Sequence, residues 1–217
     1  MLIPYQVDVP MSRWPYMNFL LIGVVTLVSL AAFMGVDEMS TGQMVLDGWS
    51  SAGMFGHMLL HVDMVHLIGN MLFLWVFGNA VCAKITNTAY LPFFVALGLV
   101  AAATHNLFDG SPAIGASGAI NGVVGMYLLL YPTNNISCLW LLGFHGSTFS
   151  ISGMWLILLW LLFDIFGAAL GGGGVAYWAH LGGFFVGAGV AALMLAAGWI
   201  KMTSTERSLF DVLAGRD

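Results

Sequence analysis

Uncharged apolar stretches of about 20 residues, long enough to cross the hydrocarbon core of a bilayer, recur along nearly the whole chain. A backbone in lipid must satisfy its N–H and C=O groups internally, which leaves helices and closed barrels. Runs this long, with no strict alternation, read as helices. Composition agrees: 60% of the 217 residues are hydrophobic and 7% are charged, and the mean hydropathy is +0.94. Such values exclude a soluble globular domain. Residues 1–11 contain no basic residue, and Pro4, Gln6, Asp8 and Pro10 interrupt their apolar residues, so they lack the order of a signal peptide and the first apolar run is expected to be retained.

Apolar runs between polar or Gly/Pro breaks predict six helices, near 16–34, 65–83, 89–105, 117–131, 151–167 and 178–200. The expected fold is an all-α, six-helix polytopic bundle forming one domain over 1–217, with a core of about 15–200 and short terminal segments. Two crossings separate Arg13 from Lys84, and four separate Lys84 from Lys201, Arg207 and Arg216, so all five basic residues share one side. The positive-inside rule makes that side cytoplasmic, with both termini, and puts Asp37, Glu38, Asp47, Asp63 and Asp109 outside. There is no basic cluster for nucleic acid. Cys82 and Cys138 are isolated and suggest neither a disulfide framework nor a metal pair.

This topology brings His66, Asn70, Ser117 and His180 to one depth, at the outer starts of the second, fourth and sixth spans. Ser117 opens the fourth helix within Gly115-Ala116-Ser117-Gly118, where free N–H groups and the helix dipole suit a developing oxyanion. A helix from Ser117 to Tyr131 is roughly 22 Å long, short of the roughly 30 Å core, so Ser117 is expected below the surface, where hydrolysis would demand a water-filled cavity. The competing reading is a small-residue packing face with Ser117 as N-cap. His180 opens the sixth span and suits a general base; the alternative is a histidine bonded across the bundle. His66 and Asn70, four apart, share a helix face and offer oxyanion donors. His57 and His61 are expected in a preceding turn or loop, ordering it, rather than with His66 in a metal or haem site. Gly183 and Gly187 on the sixth helix, facing Gly118 and Gly122 on the fourth, are the expected close-contact surfaces. Asp164 is read as an interfacial or packing acid; with no acid near His180 in sequence, a Ser117–His180 dyad is the simplest arrangement.

Together these residues resemble the rhomboid family of intramembrane serine proteases. His57, His61, His66 and Asn70 match its histidine-rich second helix, Gly115-x-Ser117-Gly118 its nucleophile motif, and Ala179-His180-x-x-Gly183 its base motif. The resemblance implies a membrane-embedded first loop, a Ser–His dyad without cofactor or metal, and an oxyanion hole from the Ser117 backbone N–H, with Gly118 N–H beside it and the His66 and Asn70 side chains. It further implies single-span membrane proteins as substrates, access past the fifth helix, and a place in a bacterial inner membrane. Two departures stand out: Trp49 precedes Ser50 where many members have Trp-Arg, and Asn121 stands where some bacterial members stack a tyrosine on the base. A catalytically silent, client-binding relative is the alternative function. A proton-relaying transporter using His and Asp164 would need an internal repeat and charges through the bundle, and neither is seen.

Overall fold

In the computed structural model, residues 2–142, 145–171 and 173–216 are described. Six apolar helices dominate them: α1 (Tyr16–Phe33), α2 (Met64–Ile85), α3 (Asn87–Phe108), α4 (Ser117–Leu130), α5 (Gly153–Leu170) and α6 (Tyr177–Ala196). Five are long and apolar enough to cross a membrane, and α4 is shorter. From Gly122 to Leu130 every residue of α4 is buried, as expected of a helix apolar on all sides. α2, α3, α5 and α6 pack against it, and the outer helices turn apolar side chains outward: Leu162, Phe163 and Phe166 on α5 are exposed, where lipid is their solvent.

A membrane core makes each unpaired backbone group costly, and α2 shows how one is met. Its segment Leu74–Gly78 is π-helical, which disturbs the regular hydrogen-bond ladder. Asn18 of α1 donates to the Leu74 carbonyl at 2.8 Å and to Asn79 Oδ1 at 2.8 Å, while Tyr90 donates to Asn18 Oδ1 at 2.7 Å. One buried amide thus joins α1, α2 and α3.

The structure adds a feature to the all-helical expectation, a small antiparallel sheet ordered β1-β2-β3, from Leu2–Val7, Asn135–Leu142 and His145–Ser152. Ile136 and Cys138 are buried two residues apart, the period of a strand with one covered face. β1 is an edge strand, where Pro4 is tolerated. β3 takes Ile151, so α5 starts only at Gly153.

The N-terminal segment, the α2–α3 junction, the end of α4 and the C-terminal segment meet at one end of the bundle. Ser12 Oγ donates to the Ala83 carbonyl at 3.3 Å and Asn87 Nδ2 to that of Trp14 at 2.9 Å. Lys84 pairs with Glu206, which also accepts from Tyr131 at 3.3 Å. Burial opposes ionisation of Glu206, but hydrogen bonds from Lys84 and Thr203 outweigh it and hold the carboxyl below its usual value.

Candidate active site

α3 has 22 residues and α4 has 14, so at about 1.5 Å per residue α4 is roughly 12 Å shorter. The connection from Asp109 to Ala116 makes up that height and descends to Ser117. His105 Nε2 donates to the Ser111 carbonyl at 2.7 Å, and Leu46 exchanges two backbone hydrogen bonds of 2.9 Å with Ala113. Gly115 has φ +129°, a conformation that L side chains rarely adopt, and a Cβ there would lie 2.7 Å from His66 Cε1. Glycine therefore lets the chain pass between His57, whose carbonyl binds the Gly115 N–H at 2.9 Å, and the His66 ring.

α4 opens on Ser117 after Ala116, an N-cap residue with no side-chain cap bond. The N–H groups of the first turn, Ser117 and Gly118 among them, have no intrahelical acceptor and carry the positive end of the dipole. Asn121 donates to the Ser117 carbonyl at 3.0 Å, one turn along.

His180 is placed by the start of α6, where Trp178 stacks on Phe108 with ring centroids 4.6 Å apart. Its Nε2 lies 2.9 Å from Ser117 Oγ and its Nδ1 3.0 Å from Asp164 Oδ1. A carboxylate facing Nδ1 pairs best with an N–H there, an arrangement that leaves the Nε2 lone pair for the Ser117 hydroxyl. Asp164, expected from sequence as an interfacial or packing acid, lies between α5 and α6 with its carboxylate on the His180 ring. Gly167 does not end the helix; α5 runs on to Leu170 and stops at left-handed Gly171, which leaves Asp164 inside the helix and facing α6. Gly167 instead receives Tyr177, whose ring carbons come within 2.4 Å of where a Cβ would be. Tyr177 also meets the His180 ring edge-on at 6.2 Å. An aromatic neighbour thus reaches the imidazole from α6 rather than from position 121.

α2 supplies the other side. Asp63 caps it by accepting from His66 N–H at 2.8 Å. Asn70 Nδ2 donates to His61 Nε2 at 2.8 Å, and His61 Nδ1 lies 2.9 Å from Ser29 Oγ. Because that hydroxyl donates to the Leu59 carbonyl at 2.8 Å, it accepts from His61, and the chain of bonds holds the Asn70 amide in one orientation. Burial, helped by the facing His66, pushes His61 down to about 4, so its ring is neutral at pH 7. His57 Nδ1 bonds the Gly53 carbonyl at 3.0 Å in a short 3-10 turn before α2. Among the described residues no three metal-ligating side chains converge. The first loop, lacking an arginine, is anchored by the Leu46–Ala113 pair, by Asn106 Nδ2 donating to the Gly48 carbonyl at 2.6 Å, and by Met58, whose sulfur would sit 2.0 Å from a Cβ on Gly98.

α4 and α6 approach closely beneath the Ser117–His180 pair. A Cβ on Gly183 would lie 2.0 Å from the Gly118 carbonyl oxygen, and one on Gly187 1.9 Å from that of Gly122. Above them opens a cavity of about 950 Å³, lined by His66, Asn70, Ser117, His180, Tyr177 and the 173–176 segment among others. Ser29, His105, Tyr177 and the pairing of Asp164 were not foreseen from sequence. For Asp164 a signal existed, since an ionisable residue inside an apolar span needs a named partner.

The Rhomboid domain profile matches residues 48–197, more than half of the 217-residue chain. The rhomboid protease GlpG of Klebsiella pneumoniae is 28% identical over 137 residues, 63% of this chain and 46% of that protein. GlpG of Enterobacter sp. is 26% identical over the same shares. The rhomboid protease GluP of Bacillus subtilis is 34% identical over 76 residues, 35% of this chain and 15% of that protein. The chain thus spans about half the length of the GlpG relatives it matches. The matched stretch runs from the first loop through α6 and carries every residue placed around the cavity by α2, α4 and α6, and on that extent the chain belongs to the rhomboid family.

Proposed function

We propose that this chain is an intramembrane serine endopeptidase that cuts transmembrane segments of single-span membrane proteins. The observation that carries the reading is the 2.9 Å contact between Ser117 Oγ and His180 Nε2 at the wall of a cavity inside an apolar helix bundle. In the first half-reaction His180 Nε2 takes the hydroxyl proton as Ser117 Oγ bonds to the peptide carbonyl carbon. His180 then returns that proton to the departing amine, leaving an acyl-enzyme on Ser117, and water entering by the cavity repeats the sequence to free the acid. The developing oxyanion is stabilised by the N–H groups of Ser117 and Gly118 and by the side chains of Asn70 and His66. No step requires a cofactor.

The test is cleavage of single-span reporters by the purified chain in liposomes. The wild type releases both fragments, and Asn70→Ala lowers kcat roughly 10²–10³-fold, the usual effect of losing one oxyanion donor, with KM little changed. Binding of reporters without cleavage would instead favour the client-binding alternative, and an unchanged kcat in the variant would leave Asn70 a structural role.

All six helices cross the membrane in this reading, with both termini in the cytoplasm of a bacterial cell and the protein in its inner membrane. Support comes from the five basic residues and from the contacts that gather both terminal segments and Lys84 at one end. Single cysteines beside Lys84 and Arg207 should react with an impermeant thiol reagent only from the cytoplasmic side, and one beside Asp109 only from outside. The opposite pattern inverts the orientation.

A further inference from the structure

α5 carries a single ionisable residue, Asp164. Only 17% of the α5 span is buried, yet the Asp164 side chain is 17% exposed and that of its partner His180 14%. The one acid of a lipid-facing helix is thus turned inward onto an imidazole nitrogen at 3.0 Å. A packing acid needs no such aim, and an acid in an apolar helix is unfavourable unless a partner receives it.

Resting on the proteolytic reading above, we infer that Asp164 is a positioning residue that holds His180 in the Nδ1–H tautomer and stabilises the imidazolium formed when His180 takes the Ser117 proton. A free imidazole exchanges between two tautomers, and the one protonated at Nε2 offers Ser117 a donor instead of a lone pair. Accepting from Nδ1–H removes that form. Once the Ser117 proton reaches Nε2 the ring is cationic, and the facing carboxylate offsets its charge. The same bond ties the base to α5. A shift of α5 by about 1 Å stretches 3.0 Å beyond the range of a hydrogen bond, so His180 is held ready only while α5 is seated against α6. Tyr177, lodged at Gly167 and against the His180 ring, marks the same contact one turn along.

The experiment uses the full chain in liposomes with a single-span reporter. Asp164→Asn removes the negative charge in either amide orientation and should lower kcat by roughly 10²–10⁴ with KM nearly unchanged, while Asp164→Glu recovers part of the rate. A structural role would instead move stability and KM, with no preference for an acid. Histidine labelled with ¹⁵N in the unmutated chain supplies a readout that needs no variant to fold: His180, assigned by its loss in His180→Gln, should be protonated at Nδ1. A wild-type rate in Asp164→Asn, or an Nε2–H tautomer in the unmutated chain, overturns the inference. If either occurs while the wild type cleaves and Ser117→Ala does not, the positioning role alone falls. A wild type that neither cleaves nor takes a fluorophosphonate label overturns the proteolytic reading and this inference with it.

Discussion

Purified Ser117→Ala and His180→Gln should each release no detectable product from a single-span reporter, a loss on the order of 10⁴–10⁶ in kcat, while both remain folded. The size follows from the two side chains acting as one unit. Without Oγ there is no atom to attack the carbonyl, and without Nε2 the hydroxyl keeps its proton and is a poor nucleophile at pH 7. Stability changes little by comparison. Ser117→Ala removes one hydrogen bond, worth about 0.5–1.5 kcal/mol, from a half-buried site on a cavity wall. Glutamine at 180 keeps an amide donor within reach of Asp164, whereas alanine would leave that carboxylate without the one side chain it is aimed at. A fluorophosphonate label should mark the wild type and not Ser117→Ala. Cleavage by either variant above a hundredth of the wild-type rate would remove the pair from the mechanism.

The helices were legible in the sequence because the bilayer imposes a length and forbids unpaired backbone, two constraints that act on every span independently. Parity did the rest: alternate spans run in one direction, so His66, Ser117 and His180 had to start at one depth. What escaped were pairings between distant segments with weak local signals. β1 has six residues and finds its partner about 130 positions away, with Leu2 opposite Trp140; an apolar run such as 136–142 has no lipid-crossing length, and glycines 143 and 146 after it are easily lost in a chain so rich in glycine. Asp164 and His180 are joined through a glycine-rich connection whose path no periodicity describes. Gly167 also misled, since a glycine in an apolar run resembles a helix end, and only the Tyr177 ring lodged against it accounts for its presence inside α5. The Asn70 amide was foreseen as a donor beside His66, but its orientation depends on Ser29 through His61, a residue on another helix.

A methyl group at Gly187 should disable the site as thoroughly as many direct substitutions. The Cβ it adds would fall 1.9 Å from the Gly122 carbonyl oxygen, whereas carbon and oxygen rest at roughly 3.3–3.6 Å even in the closest favourable contacts. The obstacle is helix backbone and cannot rotate away, so α4 and α6 must separate by more than about 1 Å. At Gly183 the overlap is with the Gly118 carbonyl at 2.0 Å, the residue next to Ser117, and His180 lies less than one turn before it. Separation there pulls His180 Nε2 from its 2.9 Å contact with Ser117 Oγ, and a misplacement of about 1 Å can lower a rate on the order of 10²-fold. Gly187→Ala and Gly183→Leu should accordingly lose at least that much kcat. Gly189→Leu is the control: the same helix and the same kind of change, at a position with nothing within 4 Å of the added Cβ, should cleave near the wild-type rate. Elution of all three as single species from a sizing column, with intact labelling of the cysteine beside Lys84, separates a displaced site from a failure to insert. If Gly187→Ala and Gly183→Leu both turn over reporter like the control, the contact between α4 and α6 does not set the distance between nucleophile and base.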